Sequence, residues 1–393
     1  MKTKLGLAVA AALAAAASSA NAGIMIPAGD WTLDIGGVVN AYYTHTSFSG
    51  DDAAAGEYGN GDSVANITTG LLPNYLSVSG KTRQNDLDVG FTISINPGAS
   101  TKRSGIQTGL AGNTDATNQE NRQAFLTFGD ASWGSIKLGK DLGIYASDAI
   151  LNDMTLLGVG SAAGSLAGNT TTLGRIGRGF MYADWKSQVA YSSPNFNGFN
   201  FTVGLTQAWN GTGNTQRGGS ETAYEGKASY SWEGDFAGKV WVSGISQNVE
   251  SLDDTATAWD IGANVNVAGF GLTGYYGQGK GTGKTVQFAG GYDAAGNDRD
   301  SDDWYVQATY ALPGVGTKLG VSYGESTLEG NGIDTFDENK SDMWTIGAYH
   351  PITKHLNLVA EYSVAEDEID GQNGGASSDV KAKTISLGAI LFF

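Results

Sequence analysis

The chain has no cysteine, only three histidines and only six prolines among its 393 residues. The missing thiols exclude disulfides, thiolate zinc centres and Cys nucleophiles together. His45, His350 and His355 stand in no Ser/His/Asp context, so nucleophilic catalysis has no base to build on. Scarce proline leaves strand ladders uninterrupted, and 59 glycines suit many tight turns. Apart from a short N-terminal run, no stretch approaches the roughly 20 apolar residues with which a helix crosses a bilayer. Positive charge is also short: 23 Lys+Arg face 40 Asp+Glu, a net charge of −17 that argues against a nucleic-acid partner. No cofactor motif is present, and no cofactor is expected.

The two ends are informative. Lys2 and Lys4 precede an apolar run, Leu5 to Ala17, and Ala20-Asn21-Ala22 is a small-x-small cleavage site, which reads as a secretory signal peptide over 1–22. Cleavage between Ala22 and Gly23 leaves a mature chain, 23–393, with 40 acidic and 23 − 2 = 21 basic groups, a charge of −19. At the other end Ile385, Leu387, Ala389, Leu391 and Phe393 alternate with Ser386 and Gly388 at the period of a strand with one apolar face. An alternating strand closed by a terminal Phe resembles the last strand of outer-membrane β-barrels, in which the insertion machinery reads that pattern. Phe393 is therefore the expected assembly signal.

Period-2 alternation recurs along the whole chain. Leu87, Val89, Phe91, Ile93 and Ile95 alternate with Asp88, Gly90, Thr92 and Ser94; Trp259 to Val267 and Leu356 to Val364 behave alike. Sixteen candidate strands result, at about 31–44, 73–81, 87–96, 120–129, 134–140, 187–193, 198–208, 222–232, 236–248, 256–267, 270–278, 303–312, 316–326, 341–350, 354–365 and 381–393. Short links such as 82–86 and 130–133 alternate with longer ones such as 45–72, 97–119, 141–186, 279–302, 327–340 and 366–380. That asymmetry predicts an all-β, 16-stranded antiparallel transmembrane barrel, with short periplasmic turns and longer outer loops. A mean hydropathy of −0.19 does not oppose this, since only alternate strand residues face lipid.

Two motifs then point to a family. Asn121-Arg-Gln-Ala-Phe-Leu-Thr-Phe-Gly-Asp-Ala-Ser-Trp-Gly-Ser-Ile-Lys-Leu-Gly-Lys140 resembles the strand-turn-strand before the third loop of Gram-negative general porins of the neisserial and β-proteobacterial type. Val189-Ala-Tyr-Ser-Ser-Pro-Asn-Phe-Asn-Gly-Phe-Asn-Phe201 is similar to the segment that follows that loop. Between them lies the longest connection, 141–186, where the family places an inward-folded constriction loop. The resemblance implies a water-filled channel for small hydrophilic solutes and ions, a homotrimer, and contact with outer-membrane lipid and lipopolysaccharide. It places Arg122 on a basic wall and Asp141, Asp148, Asp153, Asp184, Arg175 and Arg178 at the constriction. Tyr75 and Ser192 stand where the family often has Arg, and Asp88 is the lumen-facing acid of its strand. Ser147 is the expected cap of a short helix whose Ile150, Leu151, Met154 and Leu157 pack on the inner wall. The net charge and the lost basic wall positions predict cation preference.

Asp298-Arg-Asp-Ser-Asp-Asp303 resembles half of a calcium loop, but Asp303 replaces the required Gly and Thr309 the bidentate Glu. The competing readings are a substrate-selective porin, hinted at by Tyr75, and an adhesin or enzyme built on a barrel.

Overall fold

The structure is a computed structural model that describes residues 23–51, 60–99, 119–162, 171–209 and 221–393; the expected signal peptide, with Ala22, lies outside these residues. The strands are β1 (Ile24–Ala28), β2 (Trp31–Gly50), β3 (Ser63–Thr68), β4 (Tyr75–Gln84), β5 (Leu87–Pro97), β6 (Gln119–Glu120), β7 (Ala124–Asp130), β8 (Gly134–Leu142), β9 (Trp185–Ser192) and β10 (Phe199–Thr206). They continue as β11 (Ala223–Trp232), β12 (Phe236–Val249), β13 (Asp254–Val267), β14 (Phe270–Lys280), β15 (Asp300–Ala311), β16 (Lys318–Glu329), β17 (Phe336–Pro351), β18 (Leu356–Gly371) and β19 (Ser378–Phe392). Neighbours pair antiparallel throughout. β3 and β4 share β2, and β6 and β7 share β5, so each pair counts as one interrupted strand. The ladder from β19 to β2 closes a sixteen-stranded barrel.

Closure leaves no free edge. At the seam β19 ends opposite Val38, and β1 pairs with the next stretch of β2, from Ile24↔Ile35 to Ala28↔Trp31. Phe393 exchanges two backbone hydrogen bonds with Gly37, at 2.7 and 3.0 Å. Gly37 must be glycine, because a Cβ there would lie 2.3 Å from the Tyr75 carbonyl and 2.7 Å from the Phe393 ring.

Alternation decides which side chains meet lipid and which meet the lumen. Val265, Leu272, Ala308, Val321, Ile346, Tyr362 and Ile385 form one continuous outward row across seven strands. Leu272, Val321 and Ile346 are more than half exposed, which in water would be a large apolar patch and here is a lipid-facing band. The inward face is lined by hydroxyl pairs: Ser79–Thr92 at 3.0 Å, Ser192–Thr202 at 2.9 Å, Thr345–Ser363 at 2.9 Å and Thr46–Thr384 at 2.8 Å. The β4–β5 turn is a two-residue link, Asn85-Asp86, with φ of 49° and 62°, the left-handed pair that a tight hairpin needs.

Several expected connections are strand instead. β2 runs on to Gly50 and β3 pairs back onto its residues 42–47, so 45–50 and 63–68 of the expected 45–72 loop are strand. β16 to β19 reduce the 327–340 and 366–380 loops to 330–335 and 372–377. The added strand is polar or charged on both faces and so lacks an apolar period. It is held by cross-strand ion pairs, Lys340–Glu368 at 2.5 Å and Lys381–Glu366 at 2.8 Å.

Candidate functional site

The connection between β8 and β9, residues 143–184, folds into the barrel. Its neck is closed by Gly143 N donating to the Asp184 carbonyl at 2.7 Å. Ile144 N and Tyr145 N then both donate to Glu225 Oε2 on β11 at 2.8 Å, and Ala146 N donates to Ser243 Oγ on β12 at 3.1 Å. A single-turn helix, α1 (Ser147–Asn152), follows. Ser147 does not cap it: the capping position is Ala146, at φ 60°, and the Ser147 hydroxyl donates to the Ile144 carbonyl. The expected packing does occur, with Ile150 and Met154 buried and Leu151 and Leu157 half-buried. Met154 lies over Gly320 of β16.

Beyond α1 the chain crosses to the far wall. Gln307 on β15 grips both Asn152 O and Met154 N, at 2.7 and 2.9 Å. Tyr42 on β2 donates to the Leu157 carbonyl at 2.8 Å, and Glu361 on β18 accepts from Val159 N and Gly160 N at 2.7 and 2.9 Å. On the way back Gly179 N donates to Ser326 Oγ on β16 at 2.9 Å. The partners lie on β2, β11, β12 and β15 to β18. Backbone donors that water would otherwise satisfy are therefore bonded to buried side chains of the wall.

The charged residues expected at the constriction separate into different settings. Asp148 is buried and paired with Lys227 at 3.2 Å and, more closely, with Lys239, both projecting from the wall of β11 and β12. Burial works against its ionisation, but the two ammonium groups outweigh it and hold the carboxyl below its usual range. Asp153 is wholly buried; its carboxylate accepts from Thr155 N and Thr155 Oγ1, and Arg175 Nε lies 3.9 Å away. There burial wins and pushes the carboxyl up. Arg175 donates to the Met343 carbonyl at 2.9 Å and to Ser322 Oγ, and Arg178 reaches Asp367 at 2.7 Å, so both arginines fasten the returning segment to β16, β17 and β18.

Asp141 belongs to strand β8 rather than to the loop and pairs with Lys137 and Gln123. Asp184 ends the loop at φ 57°, its carboxyl raised by burial. Arg122 lies beside Glu120 at 2.8 Å and over the Trp185 ring, at the loop's base. Tyr75 opens β4 and packs half-buried against the core under the loop. Ser192 ends β9 beside a short turn, bonded to Thr202. Asp88 lies at the short-turn rim, exposed and paired with Arg83 at 2.9 Å. The structure thus brings Asp148, Asp153, Arg175 and Arg178 together on one inward segment and leaves Asp88, Arg122, Asp141 and Ser192 on the surrounding wall.

Sequence reasoning missed Glu225, Glu361, Lys186, Lys227 and Lys239. Glu225 is completely buried, with Lys186 Nζ at 2.6 Å and Thr206 Oγ1 at 2.8 Å besides its two backbone donors. The available signal was charge at inward mid-strand positions: Glu361 sits between Ala360 and Tyr362 of the run that marked its strand. Among the described residues one group of three acids is spaced for a metal, Asp342, Glu366 and Glu368, and Lys340 and Lys381 already neutralise part of it. The histidines form no group: His350 is bonded to Thr317, and His355 lies at the turn before β18.

A Gram-negative porin family model matches residues 8–370. No curated protein matches the chain in sequence. In fold it is similar to the outer membrane channel DcaP of Acinetobacter baumannii, with a TM-score of 0.64 and 16% identity over 93% of this chain and 99% of that one. It is also similar to the anion-selective porin from Comamonas acidovorans, with a TM-score of 0.59 and 18% identity over 92% and 100% of the two chains. Salmonella typhi OmpF, in complex with daunomycin, gives a TM-score of 0.57 and 17% identity over 93% and 100%. At such identities the likeness is one of fold alone. The chain belongs to the Gram-negative porin family and is an outer-membrane β-barrel channel.

Proposed function

We propose that this barrel is a water-filled channel for passive diffusion of small hydrophilic solutes and ions, preferring cations and working as a homotrimer. The observation that carries the reading is the third connection, which crosses the lumen and is bonded to the wall at β2, β11, β15 and β18. A barrel of sixteen strands is wide enough to hold water, and a segment fixed at mid-height narrows that path. In this reading Asp148, Asp153, Asp184, Arg175 and Arg178 of the inward segment form the constriction, with Arg122 and Asp141 on the wall at its base and Tyr75, Asp88 and Ser192 on the pore wall. Residues 1–22 serve export and 23–393 form the barrel.

Cation preference is supported by charge. The lumen-side cations Lys137, Lys186, Lys227, Lys239, Arg122 and Arg178 all face carboxylates. The mature chain as a whole is strongly acidic. The likeness to an anion-selective porin is one of fold and does not decide the sign. For the trimer, the support is that one similar structure, OmpT of Vibrio cholerae, is described in a trimer form.

The test is a reversal potential across a planar bilayer in a KCl gradient. The parent should select K⁺, and anion selectivity would overturn the reading. Asp148→Asn should weaken the preference, because it releases two partly exposed ammonium groups into the lumen.

A further inference from the structure

Behind the third connection the inner wall carries an acidic feature that the channel does not use. Asp260 on β13, Gly277 on β14 and Asp303 on β15 are successive ladder partners on the inward face. Gly277 has no side chain, and the Tyr275 hydroxyl occupies the space above it: a Cβ on Gly277 would lie 2.7 Å from that oxygen. Two residues further along the same face, a Cβ on Gly279 would lie 2.0 Å from the Thr282 hydroxyl. The two glycines thus make room over β14 for the Tyr275 and Thr282 hydroxyls, with Ser301 Oγ beside them.

These oxygens are buried and unsatisfied. Asp260 is 0% exposed, Thr282 1%, Asp303 3% and Tyr275 5%. Among the described residues ten buried side-chain polar atoms have no hydrogen-bond partner, and five of them are here: both Asp260 oxygens, Asp303 Oδ1, Tyr275 Oη and Thr282 Oγ1. The nearest ammonium groups bond to other residues, Lys227 to Asp148 and Ser147, and Lys284 to the neutral Asn339 and Ser341, and act on Asp260 and Asp303 only from a distance. A buried carboxylate is stabilised by a direct ion pair or by a metal, and among the described residues no ion pair reaches Asp260 or Asp303.

We infer that Asp260 and Asp303, with the Tyr275 hydroxyl between them, bind one hard divalent cation of the calcium type. Strand steps of about 4.8 Å put the two Asp backbones about 10 Å apart, with the Tyr275 hydroxyl over the strand between them. The donors are all oxygen, which excludes soft metals, and their irregular placement suits calcium better than magnesium, which demands a regular octahedron. Tyr145 of the third connection lies close to both carboxylates. A bound cation would brace that connection and the Thr282 segment against the wall. The site shares Asp303 with the Asp298–Asp303 motif but takes its other oxygens from β13, β14 and the connection after β14.

The test uses the mature chain refolded in detergent from inclusion bodies, free of lipopolysaccharide. It is incubated with calcium chloride, passed into calcium-free buffer and assayed for metal. The parent should retain about one calcium per chain, and Asp260→Asn/Asp303→Asn should retain at least tenfold less. A chelator should lower the heat resistance of the folded parent and leave that of the double variant unchanged. Should the double variant not refold, Asp303→Asn alone should show the same loss. A parent without stoichiometric calcium overturns the inference, as does equal retention by the variants. Calcium that survives the double variant but is lost in Glu366→Gln belongs to the outer Asp342/Glu366/Glu368 cluster, and also overturns it.

Discussion

Single side chains hold the third connection in place, and Glu361 is the clearest case. Its carboxylate accepts from Val159 N, Gly160 N and the Tyr349 hydroxyl, all within 2.9 Å. Glu361→Leu strands these buried donors, at about 1–3 kcal/mol each. We expect lower heat resistance on gels and added current noise in single-channel records, whereas Glu361→Gln, which keeps an acceptor, should lose less of both. In the outer connection 281–299, Asp293 accepts from Ala295 N, Asn297 N and the Asn297 and Asn331 side-chain amides. Burial opposes its ionisation, but these donors prevail and lower the carboxyl to about 2. A depressed carboxylate stabilises the fold above its unfolded value near about 4, and that contribution fades as pH falls toward the folded value. Amide exchange in 281–299 should therefore quicken between about pH 4 and 2 in the parent and show no such step in Asp293→Ala. Legibility at this scale was partial. Asp148 and Asp153 were readable because two motifs bracket their loop, whereas Glu225 and Glu361 were not. On a strand every second residue faces inward, and only the barrel's register decides which of them meets the loop.

At the scale of the strand, the side-chain period carries most of the information. Val265 faces lipid between Gly238 and Leu272, while its neighbour Asn264 turns inward and donates to Thr273 at 2.8 Å. A lysine on the lipid face costs about 2–4 kcal/mol near mid-bilayer and less toward the rim, whereas one in the lumen stays hydrated. Val265 stands two residues from the end of β13, so Val265→Lys should lower the yield of folded, heat-resistant barrel and Asn264→Lys should not; equal yields would refute the assigned register. Strands with an apolar face, such as β5, β13 and β18, were legible for the same reason. The outer ends of β2 and β16 to β19 were not: above the membrane both faces of a strand are largely polar, and Thr46, Ser47, Glu366 and Glu368 read as loop. The short β1 escaped notice because Ile24 to Ala28 follows directly on the expected cleavage site and makes its ladder only with β2.

For the molecule as a whole, closure and constriction are separable. Closure rests on the β19–β2 ladder and on the Phe393–Gly37 hydrogen bonds, none of which involves the third connection. The connection in turn is fastened at its neck by Glu225 and Ser243 and at its far end by Tyr42 and Glu361, with α1 and the turn after it spanning the lumen between. Replacing Asp148–Leu157 with a short Gly/Ser link should therefore leave a closed barrel that still migrates as a folded, heat-modifiable species. It removes the segment that carries Asp148 and Asp153, and it deprives Gln307 and Tyr42 of their loop partners. A pore narrowed by one inward loop must widen when the loop's middle is taken out. Single-channel conductance should rise and sugars that the parent excludes should enter in liposome-swelling assays, while cation preference should fall as Lys227 and Lys239 lose Asp148. A variant that folds normally yet conducts and sieves like the parent would show that the third connection does not set the pore, and the constriction assignments would fall together.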